Sequence, residues 1–255
     1  MADLPHHLER SVVIRAKPET VFQFFTDSQR WAAWWGAGST IDAKPGGKVY
    51  IRHANGVETI GEVLELNSPE RIVFTYGYAS GKPIAPGGSR VTVRLAPDPT
   101  GTRLHLRHEF AEAGPRDEHV QGWRFQLSLF SNVVADEVYA GAANTVDEWF
   151  AAWTITDHQS REETFIRIAA SDICFRDRYS LLDGLADLTA HTGAAQRFMP
   201  GIGLQRKGMV RQCQGSVLAD WIAMDRDGKE RASGSSVFEF AVDGKIASVT
   251  SFANV

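Results

Sequence analysis

The stretch YAGAANTVDEWFAAW, residues 139–153, marks the place where one folding pattern ends and a second begins. Its first six residues carry no apolar stripe, so they do not continue a packed helix. The next four, Thr145 to Glu148, have the spacing of a capping box, which predicts the start of a new helix. A helix signal directly after the end of another helix favours two folding units. We therefore predict one domain over residues 1–138 and a second over residues 139–255.

Before this stretch, the apolar residues follow a strand period and then a helix period. A β-prone run over residues 9–16 leads to a helix start at Pro18. Five further β-prone runs lie between Gly, Pro, Asn or Asp turns, at residues 47–53, 57–67, 71–78, 89–96 and 102–110. Residues 117–138 then place apolar side chains three or four positions apart, which predicts a long helix. The first domain is thus predicted to be an antiparallel sheet that curls around its closing helix.

After the stretch, the pattern predicts helices first and strands last. Helices are expected over residues 145–156, 160–169 and 183–197, with one strand over residues 172–178 between them. Four strands follow at about residues 203–214, 216–225, 231–242 and 245–252, with two Asp-Gly turns among them. This order is again that of an α+β domain.

Composition excludes several classes of function. The 27 basic and 31 acidic residues give a net charge of -4, without a broad basic field, so a nucleic-acid partner is not expected. The two cysteines, Cys174 and Cys213, have no metal-site spacing; they are read as two reduced thiols, with one disulfide as the alternative. The first residues have no signal-peptide core, and no apolar run is long enough to cross a membrane. A cytoplasmic protein without metal or cofactor is expected.

The first half contains a series of family landmarks in order. They are VFQFFTD at residues 21–27, Trp31, Trp34 and Trp35 before Gly36, PGGK at 45–48, PERIVF at 69–74, His108-Glu109 and Gly122-Trp123. Residues 9–137 thereby resemble the SRPBCC superfamily (START and pollen-allergen-like), and within it the group named after the activator of the heat-shock-protein-90 ATPase. The resemblance implies a helix-grip fold with an apolar cavity. This group contains both binding proteins and cyclases, so the resemblance does not indicate which activity the first half has.

The second half resembles the nuclear-transport-factor-2-like superfamily, close to its SnoaL-like polyketide cyclases. The matching residues are VDEWFAAW at 146–153, DICFRD at 172–177, Gly184, Leu188, His191, MPG at 199–201, Trp221 and DGKI at 243–246. The resemblance implies a cone-shaped α+β barrel with an open mouth. Relatives in this superfamily are often dimers through the open sheet face, so it also implies a homodimer through the second domain.

Asp177 and His191 are the predicted catalytic residues. Asp177 ends a β-prone run at the position where isomerases and cyclases of this superfamily carry their general base, and cyclase-type members use a nearby histidine. The alternatives are that Asp177 pairs with a neighbouring arginine or caps a turn, and that His191 makes a local hydrogen bond. The steroid isomerases add a tyrosine and a buried acid, whose positions here correspond to Trp149 and Ser236. Steroid isomerisation is therefore disfavoured.

The expected function is binding of a small, largely apolar molecule in one or both cavities. The predicted pocket residues are Trp149, Trp153, Tyr179, Trp221 and Ser236 in the second domain and Trp35 and Trp123 in the first; the alternative for the tryptophans is core packing. Two other functions stay open. One is a cofactor-independent cyclase or isomerase that abstracts a proton from a polyketide-like substrate, and the other is a protein–protein interaction module.

Overall fold

A computed structural model describes residues 3–254. The chain divides into two compact units, one ending at Val134 and one starting at Ala135. This division falls inside a helix, a few residues before the boundary at residues 138 and 139 that the sequence indicates, which stays a prediction. Among the described residues, no helix combines the length and the apolar character needed to span a bilayer.

The first unit is an antiparallel sheet with helices on its inner side. Its elements are β1 (His6–Ile14), α1 (Pro18–Gln23), α2 (Ser28–Trp35), β2 (Thr40–Ile41), β3 (Lys48–Arg52), β4 (Glu58–Asn67), β5 (Arg71–Tyr78), β6 (Ser89–Asp98), β7 (Gly101–Phe110) and α3 (Ala113–Val138). The seven strands lie in the order β1-β7-β6-β5-β4-β3-β2. Pro18 occupies the first turn of α1, and the Asp27 carboxylate caps α2 by accepting from the backbone N–H groups of Gln29 and Arg30.

The core of the first unit is mainly aromatic. In β7, Leu104, Leu106, His108 and Phe110 are buried while the residues between them are exposed or half-buried, as the alternation predicts. The rings of Phe25, Trp31 and Trp34 from the helical segment pack against one another, and Phe25 and Trp34 also pack against Phe130 of α3. This cluster fixes the two short helices between the sheet and α3, and so positions Trp35 at the end of α2.

The second unit is a mixed sheet with three helices. Its elements are α4 (Ala142–Ala152), α5 (His158–Ile168), β8 (Ala169–Arg176), β9 (Leu181–Asp183), α6 (Gly184–Phe198), β10 (Gly203–Cys213), β11 (Ser216–Met224), β12 (Glu230–Phe240) and β13 (Ile246–Ala253). The six strands lie in the order β10-β11-β12-β13-β8-β9, and β13 pairs with β8 in parallel. The predicted fold class, α+β in both units, is confirmed.

The predicted capping box is wrong. Helix α4 begins at Ala142, so Thr145 lies inside the helix, and the residue before it, Gly141, makes no side-chain cap. Alanine has the highest helix propensity, and burial of the Ala142 side chain adds packing to that preference. The helix therefore starts one turn earlier than the capping pattern indicates.

A glycine on β12 makes room for a tryptophan on the neighbouring strand. Gly234 pairs directly with Trp221, and a Cβ atom at Gly234 would lie 2.1 Å from the Phe252 carbonyl oxygen and 2.4 Å from the Trp221 ring. Gly234→Ala is expected to destabilise the second unit by about 1–3 kcal/mol through overpacking. Urea unfolding of chain labelled with 5-fluorotryptophan measures this, because Trp149, Trp153 and Trp221 report on the second unit. Gly141→Ala, with open space around the new atom, should change stability by less than about 0.5 kcal/mol; equal effects of the two variants would contradict the packing account.

Candidate functional site

A cavity of about 480 Å³ lies between the sheet and α3 of the first unit. Its lining comes from the end of α2, the turn after β3, strand β5 and one face of α3. The lining residues are Trp35, His53, Ala54, Asn55, Tyr76, Tyr78, Glu118, His119, Gly122, Trp123, Phe125, Gln126 and Leu129. The wall is therefore largely aromatic, with imidazole and phenol groups as its main polar features.

Trp35 and Trp123 form the apolar part of this wall. Their rings meet edge to face, with centroids 5.6 Å apart, and 7% and 4% of their surfaces are exposed. Both residues were predicted to line a pocket, and the structure brings them together in one. The indole N–H of Trp35 is buried and has no hydrogen-bond acceptor among residues 3–254. A buried donor without an acceptor is unfavourable.

His108 holds Trp123 in place from beneath the cavity. The Trp123 indole N–H donates to His108 Nδ1 at 2.9 Å, and His108 Nε2 lies 2.8 Å from the Ser89 hydroxyl, which itself donates to the Tyr76 carbonyl oxygen. These partners require a neutral imidazole with its proton on Nε2. Burial, and then the neighbouring His119, hold the pKa of His108 well below its usual range. With both ring nitrogens occupied, His108 is a structural anchor.

Tyr78 and His119 form a hydrogen-bonded pair along the wall, with Tyr76 beside them. The Tyr78 hydroxyl lies 3.3 Å from His119 Nε2, and the Tyr76 and Tyr78 rings meet edge to face with centroids 5.9 Å apart. His119 Nδ1 lies 2.7 Å from the Pro115 carbonyl oxygen, an acceptor only, so Nδ1 carries the proton. His119 Nε2 is then the acceptor for Tyr78. We call the pair of Tyr78 and His119 the phenol–imidazole relay.

Burial keeps the groups of the relay uncharged. Desolvation raises the pKa of Tyr76 and of Tyr78, although the neighbouring Tyr76 hydroxyl opposes the rise at Tyr78. Desolvation also lowers the pKa of His119, against the opposing effects of the Pro115 carbonyl and Glu118. His53 adds a second imidazole, with Nε2 3.5 Å from the Tyr76 hydroxyl and a pKa lowered by burial and by His119. At neutral pH the cavity thus presents two phenols and two neutral imidazoles.

A second, larger depression of about 860 Å³ lies on the outer side of the same sheet. It is lined mainly by arginine and glutamate side chains, several of which pair with one another: Arg90 with Glu109 at 2.7 Å and Arg107 with Glu9 at 2.8 Å. The Arg107–Glu9 pair is exposed and the Arg90–Glu109 pair is half-buried, so this depression is a charged surface whose groups already pair with one another. We therefore place the candidate site in the smaller cavity, where aromatic walls and buried polar groups converge.

In the second unit, Asp177 and His191 lie near the same turn. The Asp177 carboxylate accepts the backbone N–H of Tyr179 at 2.8 Å, and the Asp177 backbone N–H donates to the Ser180 carbonyl. His191 Nε2 lies 3.4 Å from the Ser180 hydroxyl, so Ser180 contacts both predicted residues. Tyr179 is 84% exposed. Their catalytic role stays a prediction, since the geometry also fits the alternative in which Asp177 stabilises the turn.

The other predicted pocket residues of the second unit lie in or beside its core. Trp149 is 1% exposed and packs against Phe165, Phe175 and Phe238. The Ser236 hydroxyl donates to that of Ser251 across the neighbouring strand. Trp153, which packs edge-on against the His191 ring, and Trp221 carry buried indole N–H groups without an acceptor in the described part of the chain. A role for these residues in a ligand pocket stays a prediction.

Comparison with known proteins identifies the first unit. Residues 15–135 match the family model described as activator of Hsp90 ATPase homolog 1-like protein. The first unit is therefore similar to this family. No protein with a curated description matches the chain.

Several solved structures resemble parts of the chain. A SnoaL-like family protein from Agrobacterium tumefaciens is 21% identical, with a TM-score of 0.42, over 44% of this chain and 96% of its own. Protein CV1439 from Chromobacterium violaceum is 26% identical, with a TM-score of 0.41, over 50% of this chain and 96% of its own. Protein Ms6760 from Mycobacterium smegmatis is 19% identical, with a TM-score of 0.45, over 55% of this chain and 98% of its own.

Four residues of the candidate site in this activator-like unit were not singled out from the sequence as cavity residues: His53, Tyr76, Tyr78 and His119. The spacing of His53 and His119 indicates no metal site, and among the described residues no group of three His, Cys, Asp or Glu side chains could hold a metal ion. One signal was present, because Tyr76 and Tyr78 are two apart on a strand and so share a face. The second was the spacing of His119 and Trp123, which places them on one face of a helix.

Proposed function

We propose that the first unit binds a small, largely apolar molecule with a flat ring in the cavity between its sheet and α3. The observation that carries this proposal is the composition of the wall, in which Trp35 and Trp123 meet the phenol–imidazole relay. Ligand pockets are commonly about 300–1,000 Å³, mostly apolar, with a few convergent polar groups. The cavity has that size and that distribution of groups.

The polar groups favour one orientation of the ligand. Trp35 and Trp123 are almost fully buried and make the wall apolar, while the Phe125 ring, 69% exposed, provides area for stacking against a flat ring. The phenols of Tyr76 and Tyr78 and the imidazole of His53 line the same cavity and can hydrogen-bond a carbonyl or hydroxyl oxygen on the ligand. A single oxygen on an otherwise apolar ring is therefore the pattern that fits the wall best.

Filling the cavity from α3 tests this proposal. Gly122 lines the cavity and has no atom within 4 Å of the position of a Cβ, so Gly122→Leu places a side chain at the wall without an immediate clash. We expect this variant to bind N-phenyl-1-naphthylamine, a neutral fluorescent probe, at least about tenfold more weakly. A tenfold change in affinity corresponds to about 1.4 kcal/mol of binding free energy. Emission of the probe titrated with protein measures the affinity.

Gly114→Leu is the matched control. Gly114 lies in the first turns of the same helix, also has open space around it and is not part of the wall. Both variants gain helix propensity, so both should fold. Unchanged probe affinity in the Gly122→Leu variant, or an equal loss in the Gly114→Leu variant, would argue against this cavity as the binding site.

A further inference from the structure

We infer that the same cavity is a proton-transfer site, in which Tyr78 and His119 together remove a proton from the carbon next to the carbonyl group of a flat ketone. The inference rests on the proposed function, because the ketone must first bind between Trp35 and the relay. It assigns an acid–base activity to the first unit, in addition to the predicted pair in the second.

The hydrogen bonds of His119 define the direction of proton transfer. Its Nδ1–H is held by the Pro115 carbonyl oxygen at 2.7 Å, so its Nε2 lone pair faces the Tyr78 hydroxyl at 3.3 Å. This is the arrangement of an activated hydroxyl: an oxygen that can receive a proton from the substrate, a base behind it, and a third group that orients the base. Apo sites often have such hydrogen bonds slightly long, and they shorten when a ligand binds.

The other two histidines near the cavity lack this arrangement. Both ring nitrogens of His108 are occupied by Trp123 and Ser89, and its ring is fully buried. His53 Nε2 lies 3.5 Å from the Tyr76 hydroxyl, at the long limit for a hydrogen bond, whereas His119 Nε2 lies 3.3 Å from the Tyr78 hydroxyl. His119 is therefore the end of the relay.

The surroundings of His119 support a transient positive charge. The Pro115 carbonyl accepts from Nδ1, and the Glu118 carboxylate in the cavity wall is close enough to favour the imidazolium form. Burial acts in the opposite direction and keeps the ring neutral when the cavity is empty. The base is thus unprotonated before reaction and is stabilised once it has accepted a proton.

The step balances without any further reactant. The C–H bond next to the carbonyl breaks, its proton passes to the Tyr78 oxygen, and the Tyr78 proton passes to His119 Nε2. The electron pair of the C–H bond forms a carbon–carbon double bond, and the carbonyl oxygen becomes an enolate oxygen. Reversal of the proton path returns a proton to carbon, so no oxidant or reductant is needed.

Hydrogen–deuterium exchange tests the inference on the full-length chain. The protein is incubated with 2-tetralone, a flat ketone, in deuterated buffer, and loss of the α-proton signal is followed by NMR. We expect faster exchange than in buffer alone, and a loss of about 100-fold in the Tyr78→Phe variant, within the range for general acid–base catalysis. Affinity for 2-tetralone, measured by displacement of N-phenyl-1-naphthylamine, should stay within a few-fold in that variant. Tyr50→Phe is the matched control, because the Tyr50 hydroxyl binds Glu58 away from the cavity.

His119 acts through Tyr78 and is therefore a positioning residue. Its role needs a separate measurement that a purely structural role would not affect. His119→Ala should lose the exchange activity, and added imidazole should restore part of it, because a free base can occupy the vacated space. Imidazole should not rescue Tyr78→Phe, which lacks the hydroxyl. A purely structural role for His119 predicts no rescue.

The outcomes separate the two proposals. Displacement of the probe by 2-tetralone without exchange above the buffer rate overturns the inference and leaves the binding proposal standing. A wild-type exchange rate in Tyr78→Phe also overturns the inference, as does probe binding that 2-tetralone cannot displace. Failure of both the probe and the ketone to bind overturns the binding proposal as well.

Discussion

Replacing Trp34 with alanine is expected to lower the free energy of unfolding of the first unit by about 3–5 kcal/mol, the usual cost of removing a buried large aromatic side chain. Trp34 is 2% exposed, and its ring contacts Phe25, Trp31, Trp35 and Phe130. Its indole N–H also donates to the Phe24 carbonyl at 3.2 Å. The change therefore leaves a cavity at the centre of the cluster that joins α2 to α3.

Hydrogen exchange read by mass spectrometry measures this effect unit by unit. Peptides from the sheet of the first unit should exchange faster in Trp34→Ala, while peptides from the second unit serve as an internal reference. Trp34→Phe is the matched control, since it keeps an aromatic ring and loses the N–H donor, and about 1–2 kcal/mol is expected. If Trp34→Ala cost no more than Trp34→Phe, the cluster could not be what holds the two helices in place.

The strands and the long helix of the first unit follow from local pattern. The sequence predicts strands over residues 71–78 and 102–110, and the structure has them at Arg71–Tyr78 and Gly101–Phe110. Alternation and helical period specify which face of an element is buried, and this information is contained within each element. Strands β2 and β9, with two and three residues, were not predicted because such short segments contain no period.

The candidate site depends on pairing between distant elements, which local pattern does not contain. Tyr78 and His119 are 41 positions apart and meet only because α3 packs across β5. The family resemblance indicated a cavity and the aromatic residues Trp35 and Trp123, but it did not indicate how β5 and α3 align. Tautomers and hydrogen-bond directions depend on individual acceptors, such as the Pro115 carbonyl, that no spacing rule identifies. The relay could therefore be identified only from the structure.

Acidification from about pH 7 to about pH 5 is expected to destabilise the first unit strongly, because three imidazoles near the cavity have a pKa lowered by burial: His53, His108 and His119. In the unfolded chain each takes up a proton as the pH falls below about 6.5. In the folded unit each stays neutral to a lower pH. Unfolding therefore takes up protons, and stability falls by up to about 1.4 kcal/mol per pH unit for each fully buried imidazole.

A substitution of His108 measures how much of this pH dependence comes from one imidazole. Its ring is fully buried and stays neutral in the folded unit. The contribution of His108 to the free energy of unfolding is therefore fully present above about pH 6.5 and is lost as the pH falls below that value. The loss is roughly 2 kcal/mol at about pH 5. In His108→Gln the amide oxygen can accept from Trp123 and the amide N–H can donate to Ser89, but the side chain does not titrate. The variant should have a lower free energy of unfolding at neutral pH. The slope of that free energy against pH should be smaller than in the wild type, by the amount that corresponds to about one proton taken up on unfolding.

Urea unfolding of 5-fluorotryptophan-labelled chain at a series of pH values measures this slope, because the fluorine signals of Trp31, Trp34, Trp35 and Trp123 report on the first unit. The series stays above about pH 5, so that carboxylates whose pKa is lowered by arginine partners, such as Glu109 beside Arg90, remain ionised throughout. A parallel slope in wild type and in His108→Gln would mean that His108 is protonated in the folded unit. That protonation would place a proton on Nδ1, where Trp123 donates, so the anchor beneath the cavity would have to rearrange. The difference in slope is therefore a direct test of the hydrogen bonds that position Trp123 and, with it, the wall of the proposed site.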